Sequence, residues 1–351
     1  PISVVDLLCL ATYRPLHKYD WSAELQELNQ LPEVQRRLIE EPRSEIQLAR
    51  EMPVLADVED DISLKVREQY EENPYPRWEK LGLPSTPKSV AKVCDESKIH
   101  LHSQSIKNVF SPSILVAGCG TGQQSIEVAS RFANCQVTAV DLSRASLAYA
   151  FRKTDELCIS NVKYFQADIL SLGKLGQEFD LIICTGVLHH MNDPMAGWRV
   201  LVDRLNTGGL MKVGLYSELA RSHIAKIRQE IAIDTLEKSE AELRLLRRSL
   251  VKSDDAHVQR TTFSSDFFSL SMFRDLIFHV QEHRFTLPKI QRCLNNLGLE
   301  FCGFDNAEIV SEFERSFGEG SDTCDLSLWH QFEKSHPSTF ASMYQFWCQK
   351  I

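Results

Sequence analysis

From residue 113 onward the chain alternates short, nearly unbroken apolar runs with helix-length stretches, and this alternation constrains the fold more than any other feature. The runs lie at 114–117, 136–140, 162–165, 181–184 and 210–215, and each reads as a strand. A strand that is apolar throughout is buried on both faces, which calls for a parallel sheet with helices above and below it. The pattern predicts a doubly wound α/β domain. Further strands are expected at 299–304 and 343–349, beyond a charged helical region that begins near residue 218.

The flanking material is helical. Before residue 51, apolar positions at three- and four-residue spacing (Leu25, Leu28, Leu31, Val34, Leu38) predict helices, cut into short pieces by Pro15, Pro32, Pro42 and Pro53. An amphipathic helix is expected over 60–70, with Ile62, Val66 and Tyr70 on one face, stopped by Asn73-Pro74-Tyr75-Pro76-Arg77-Trp78. The prolines hold that segment extended and leave the rings of Tyr75 and Trp78 as a fixed aromatic surface. Ser239 with Glu242 forms a capping box that opens a helix, and further helices are expected over 270–283 and 287–297, the second closed by Gly298. The chain then divides into a helical region 1–58, a lid helix and linker 59–112, the sheet core 113–216, a helical insertion 217–297 and closing strands 298–351.

A chain of 351 residues can bury a core without disulfides or zinc. Its net charge of −9 argues against a nucleic-acid partner or an anionic membrane surface. The ten cysteines stand singly, without C-x-x-C spacing, which predicts reduced thiols and a cytoplasmic location. No apolar run approaches the roughly 18 to 20 residues that span a bilayer, and the first residues do not have the pattern of a secretory leader. Arg244, Arg247 and Arg248 interleave with Glu237, Glu240 and Glu242, as on a solvated helix face.

The strongest local signal follows the first strand: Gly118-Cys119-Gly120-Thr121-Gly122, then a helix from about Gln123. Glycines let the backbone turn sharply and approach a ligand, and the helix start behind them presents free N–H groups. A dinucleotide loop spaced G-x-G-x-x-G would need glycine at position 123, where this chain has Gln123. Asp141 ends the second strand, 19 residues past Gly122, where a carboxylate can accept from both ribose hydroxyls. Asp168 ends the third, placed to take an adenine amino proton, with Ile169 able to lie on the ring. Adenine and ribose without a pyrophosphate loop point to S-adenosylmethionine.

Over 114–216 the chain resembles the class I S-adenosylmethionine-dependent methyltransferases, motif by motif and in order. Gly118, Gly120 and Gly122 match the first motif, with Cys119 and Thr121 between them. Asp141, followed by Leu142, matches the ribose acid, and Asp168 with Ile169 the adenine acid. Residues 180–190, with Cys184, match the fourth-strand motif, and 206–209 match a turn before the fifth strand. The resemblance implies a Rossmann-like seven-stranded sheet, mostly parallel with an antiparallel last strand, S-adenosylmethionine as cofactor, and methyl transfer. Segments 66–78, 274–288 and 329–347 resemble a bacterial group of these enzymes often fused to tetratricopeptide repeats, which implies a helical-repeat partner or a fused repeat domain at the N-terminus. One position departs: Val116 stands where the family carries an acid near the ligand's methionine end. Backbone carbonyls of Gly118 or Cys184 are then left to hold the ligand's amino group.

Methyl transfer from a sulfonium is an in-line displacement and requires alignment above all. His189 and His190 stand just past the fourth strand, where catalytic groups of open sheets gather, and either is a candidate base or a residue that shapes the loop. Tyr216, after the fifth strand, is a candidate acceptor contact. Tyr70, Tyr75, Arg77 and Trp78 form either a lid over the cofactor or a brace between domains. The expected helix 270–283 carries Arg274, His279 and His283 and can line the acceptor pocket or face solvent. His279 and His283 also fit H-x-x-E-H, but no third ligand is visible and no metal is expected. The reading is a methyltransferase acting on a small-molecule or peptide/protein acceptor. Its alternatives are a non-catalytic scaffold with the same fold, an NAD-dependent oxidoreductase and an RNA methyltransferase.

Overall fold

The computed structural model describes residues 3–24, 31–231, 239–318, 320–341 and 343–351. Leu25, Leu28 and Glu237 lie outside the described residues. Seven strands form one sheet: β1 Ser113–Ala117, β2 Gln136–Asp141, β3 Val162–Gln166, β4 Phe179–Thr185, β5 Leu205–Leu215, β6 Leu299–Phe304 and β7 Tyr344–Lys350. Their order is β3-β2-β1-β4-β5-β7-β6. The first five are parallel, and β7 runs antiparallel to both β5 and β6. This is the doubly wound sheet with an antiparallel last strand.

Alternate residues of β1 enter different cores. Leu115 and Ala117 pack into the larger cluster with Trp198, Ile290 and Phe346, whereas Ile114 and Val116 pack with Val93, Phe132 and Leu181 on the other face. Both faces are dry, which is why the strand is apolar throughout. Strand order reverses direction between β1 and β4, so a crevice opens at their carboxyl ends, where open α/β sheets bind ligands.

Three local expectations are corrected. Pro42 does not end a helix: helix Pro32–Gln35 passes through a π turn, Arg36–Glu40, into helix Glu41–Glu51. A proline lacks one donor and crowds the carbonyl a turn earlier, and the wider turn makes room for it. Residues 206–209 are not a turn before β5 but part of it. Gly208 has φ +78° there, and the pairing with β4 shifts register between Phe179 and Leu181. The expected helix 270–283 stops at Phe278 (Leu270–Phe278). Beyond it the backbone bonds to other elements: His283 N–H to the His189 carbonyl at 2.7 Å, and Phe285 N–H to the Tyr216 carbonyl at 2.9 Å.

Helix Asp61–Glu72 is capped by Asp60, whose Oδ1 accepts from the Ile62 and Ser63 amides at 3.0 and 2.9 Å. The capping box at Ser239 opens helix Glu240–Val251, and helix Leu287–Leu297 ends on Gly298 at φ +65°. Between β5 and β6 the insertion builds its own core from Ile224, Ile227, Leu243, Val258, Phe267 and Phe273. Arg244 pairs with Glu240 at 3.1 Å on an exposed face. All ten cysteines are free thiols. Among the described residues no helix is long and apolar enough to cross a membrane.

Candidate active site

A cavity of about 420 Å³ opens over the carboxyl ends of β1, β2, β3 and β4. Its floor is the glycine loop, with Gly118 at φ +72° and Gly120 at φ +51°. The Gly120 amide donates to Asp141 Oδ2 at 2.7 Å, and the Ser143 amide to Oδ1 at 2.9 Å. Burial raises the Asp141 carboxyl to about 6 despite these two bonds. A carboxylate has about four acceptor positions, so capacity for hydroxyls remains. Asp168 is 4% exposed, caps the Leu170 amide at 2.9 Å and stands on the same wall, with Leu142, Ala167 and Ile169 beside it.

Cys119 and Thr121 also line the cavity, but Gly122 does not. A Cβ on Gly122 would come within 2.5 Å of the Ala150 Cβ, so this glycine lets helices Gln123–Arg131 and Arg144–Glu156 approach. Cys184 is fully buried in the sheet core, and its neighbours Thr185, Gly186 and Val187 reach the wall instead. Val116 is fully buried on the opposite face, away from the cavity.

The segment after helix Asp61–Glu72 divides. Tyr70, Tyr75 and Pro76 line the cavity. Trp78 packs on Ile126 and Tyr149, off the wall, and its Nε1 donates to the Thr121 carbonyl at 3.1 Å. The Thr121 hydroxyl donates to the Pro76 carbonyl. Trp78 thus braces the glycine loop from behind. Arg77 also turns away, to Glu45 at 2.6 Å and over the Tyr149 ring, because the N-terminal helix supplies its carboxylate partner.

On the far side the cavity meets His190, Tyr216 and Asp275. His190 Nδ1 lies 2.7 Å from the Gln281 carbonyl, which can only accept, so this nitrogen carries the proton. Burial lowers the His190 pKa to about 3, and the ring is neutral. His189 is fully buried and off the wall: it stacks on Tyr216 with centroids 3.8 Å apart, and neither ring nitrogen has a hydrogen-bond partner. Burial also holds His189 well below its ordinary pKa, so it has neither the access nor the basicity of a proton acceptor.

His279 and His283 do not share a helix face, because the helix ends before them. His279 is fully buried and stacks on His190 at 3.4 Å between centroids. Its Nδ1 accepts from the Gln281 amide at 3.2 Å, which leaves the proton on Nε2, 3.2 Å from the Tyr70 hydroxyl. That hydroxyl donates to Asp275 Oδ1 at 2.8 Å. His283 turns outward to the Asn192 carbonyl at 3.3 Å, and Arg274 to Glu72 at 3.1 Å, neither on the cavity wall. Beneath Tyr216, Arg221 lies 3.7 Å from the ring centroid and pairs with Glu282 at 2.8 Å.

Sequence reasoning missed Asp275, Gln124, Thr185, Met343 and Gln345, all on the wall. Asp275 left one signal: it stands beside Arg274, between Phe273 and the apolar run 276–278, where an acid that is buried needs a polar partner. Met343 and Gln345 left none, because only the antiparallel return of β7 beside β5 brings them to the crevice.

Residues 114–209 match the family described as Methyltransferase domain. An uncharacterized protein of Synechococcus sp. is 28% identical over 234 residues, which cover 63% of this chain and 56% of that protein. A malonyl-[acyl-carrier protein] O-methyltransferase of Acetivibrio thermocellus is 28% identical over 111 residues, 32% of this chain and 38% of that one. The chain therefore spans about half the length of the first relative and less of the second. Among solved structures, PKMT2 from Rickettsia typhi aligns with a TM-score of 0.55 at 14% identity, covering 77% of this chain and 55% of that one. The same protein in complex with AdoHcy gives 0.53 at 16% identity, over 78% and 55%. The shared fold is the Rossmann-like methyltransferase fold.

Proposed function

We propose that this protein is a cytoplasmic S-adenosylmethionine-dependent methyltransferase that acts on a small-molecule or peptide/protein acceptor. One observation carries the reading: Asp141 and Asp168, at the ends of neighbouring strands, stand on one cavity wall with the glycine loop, inside the matched methyltransferase domain. The cavity also fits the group. A Cβ at Gly118 would lie 2.3 Å from Val187 Cγ2, and one at Gly120 would lie 2.9 Å from the Tyr75 carbonyl, so both positions must stay bare for the loop to keep its shape. The ten free thiols support the cytoplasmic location.

When bound, the cofactor supplies an electrophilic methyl group on a sulfonium whose departure leaves a neutral thioether. The chain's own residues bind, orient and exclude water. Asp141 accepts from the ribose hydroxyls and Asp168 from the adenine amino group, while Leu142 and Ile169 flank the ring. With Val116 buried, the amino-acid end falls to the backbone at Gly118 and to Gln124, whose Nε2 donates to Thr185 Oγ1 at 3.1 Å. Cys184, buried in the sheet core, leaves this end of the cavity to Thr185, Gly186 and Val187. Tyr70, Tyr75 and Pro76 close the cavity from the side preceding the sheet. His190, neutral and fixed by Gln281, shapes the acceptor side with Tyr216. A helical-repeat neighbour belongs to the same reading; within this chain the N-terminal helix is tied to the core by Glu45 and Arg152 at 2.7 Å.

Calorimetric titration with S-adenosylmethionine tests the assignment. Binding by the wild type and its loss in Asp141→Ala are expected; a wild type that does not bind would overturn it. A non-catalytic scaffold is the second reading, favoured by the burial of Val116. Labelled methyl incorporation into lysate fractions separates the two, since a scaffold transfers no label.

A further inference from the structure

The half of the cavity away from the glycine loop is chemically one-sided. Among the described residues no lysine or arginine lines the cavity, whereas Asp275 and the rings of Tyr70, Tyr75 and Tyr216 do. Arg221 stays off the wall, against Tyr216, with its charge paired to Glu282. His190 is neutral and adds no positive charge.

Asp275 is held in one orientation. Its Oδ1 accepts from Tyr70 at 2.8 Å and from Gln69 Nε2 at 3.3 Å. The Tyr70 hydroxyl oxygen in turn accepts from His279 Nε2–H, so each donor in this chain points toward the carboxylate. Asp275 is only 9% exposed, and among the described residues its Oδ2 accepts no hydrogen bond and no side chain forms an ion pair with it. A buried carboxylate without a cation is costly, and the cost is relieved when a ligand brings one. Aromatic faces beside it favour the same charge.

We propose that this half of the cavity binds the methyl acceptor as an alkylammonium, its charge on Asp275 and its stem among Tyr70, Tyr75 and Tyr216, which makes a nitrogen the methylated atom. The inference rests on the methyltransferase reading above. Asp275 is then also the proton acceptor. One ammonium N–H bond breaks, its proton forms an O–H bond on Asp275 and leaves to water, and the electron pair left on nitrogen would form the N–C bond as the S–C bond to the methyl breaks and the neutral thioether departs. Burial raises the Asp275 carboxyl, which narrows the gap to an amine. A free alkylamine and a lysine side chain of a peptide present the same chemistry.

The test is calorimetry on the full chain saturated with S-adenosylhomocysteine. Hexylammonium is expected to bind at least about ten times more tightly than hexanoate or hexanol, and Asp275→Asn to lose about tenfold or more of that affinity. Hexanoate binding as tightly as hexylammonium, no hexylammonium binding, or an Asp275→Asn variant of unchanged affinity would each overturn the proposal. The wild-type comparison decides even if the variant does not fold. If S-adenosylhomocysteine itself does not bind, the methyltransferase reading fails, and the same titrations on the free protein still judge the ammonium site. Label carried from S-adenosylmethionine to hexylamine identifies a small-molecule source and label on oligolysine a peptide source; label on hexanoate alone would again overturn it.

Discussion

Tyr70 and Asp275 are 205 residues apart in sequence and joined by a 2.8 Å hydrogen bond from the phenol to the carboxylate. This bond ties the helix that precedes the sheet to the insertion that follows β5, and the cavity lies between them. Tyr70→Phe strands the buried carboxylate and also removes the acceptor of His279 Nε2. We expect a loss of about 1–3 kcal/mol in urea unfolding. A loss below about 0.5 kcal/mol would mean that Gln69 or water satisfies Asp275 alone.

His279 contributes to acid sensitivity. Burial holds its folded pKa near 3, against the ordinary 6.5, so between these values the unfolded chain binds more protons than the native one. Its contribution to stability is present above pH 6.5 and is lost as pH falls toward 3. His279→Gln should make the urea midpoint fall less steeply between pH 6.5 and pH 4, while Lys252→Gln, at an exposed helix end, should leave that slope alone.

Asp141 acts in the opposite sense on stability. Its folded pKa is raised to about 6 from 3.8, so the native state binds more protons between those values, and its contribution is lost as pH rises through 6. In the proposed role the ionised carboxylate accepts from both ribose hydroxyls, which its protonated form does less well. S-adenosylmethionine affinity should therefore fall as pH drops from 7 to 5, and Asp141→Asn should bind weakly with no such dependence. A pH-independent wild type in calorimetry contradicts this.

Gly118→Ala combines a left-handed backbone angle with a Cβ placed 2.3 Å from Val187 Cγ2. The expected cost is about 2–4 kcal/mol in thermal or urea unfolding, with loss of cofactor affinity. Adding Val187→Ala should recover part of the stability, because it removes both Cγ contacts but leaves the Val187 Cβ at 3.1 Å and the backbone strain.

Particular residues show where sequence information ended. The end of the first strand, the acids Asp141 and Asp168 and the αL close of helix Leu287–Leu297 were all readable, since each depends on spacing within a few residues. Trp78 and Arg77 were not. Sequence left both open between a lid over the cofactor and a brace between domains, and they turn to Thr121 and Glu45, partners supplied by distant segments. The expected helix through His283 failed for a similar reason: the backbone beyond Phe278 found hydrogen bonds to His189 and Tyr216 that periodicity does not reveal.

By itself the sequence determined the sheet, because a strand buried on both faces must be apolar throughout, and it determined the glycine-loop side of the cavity, because a tight turn requires glycine and Asp141 and Asp168 stand at the ends of their strands. Only the tertiary structure decided the opposite wall. Tyr216 follows directly on β5 and was readable, but Asp275 and Met343 come from separated stretches that only packing brings to the wall beside Tyr70 and Tyr216. Local rules act through backbone geometry over a few residues, whereas this wall is set by which buried polar groups find partners once the whole chain has packed.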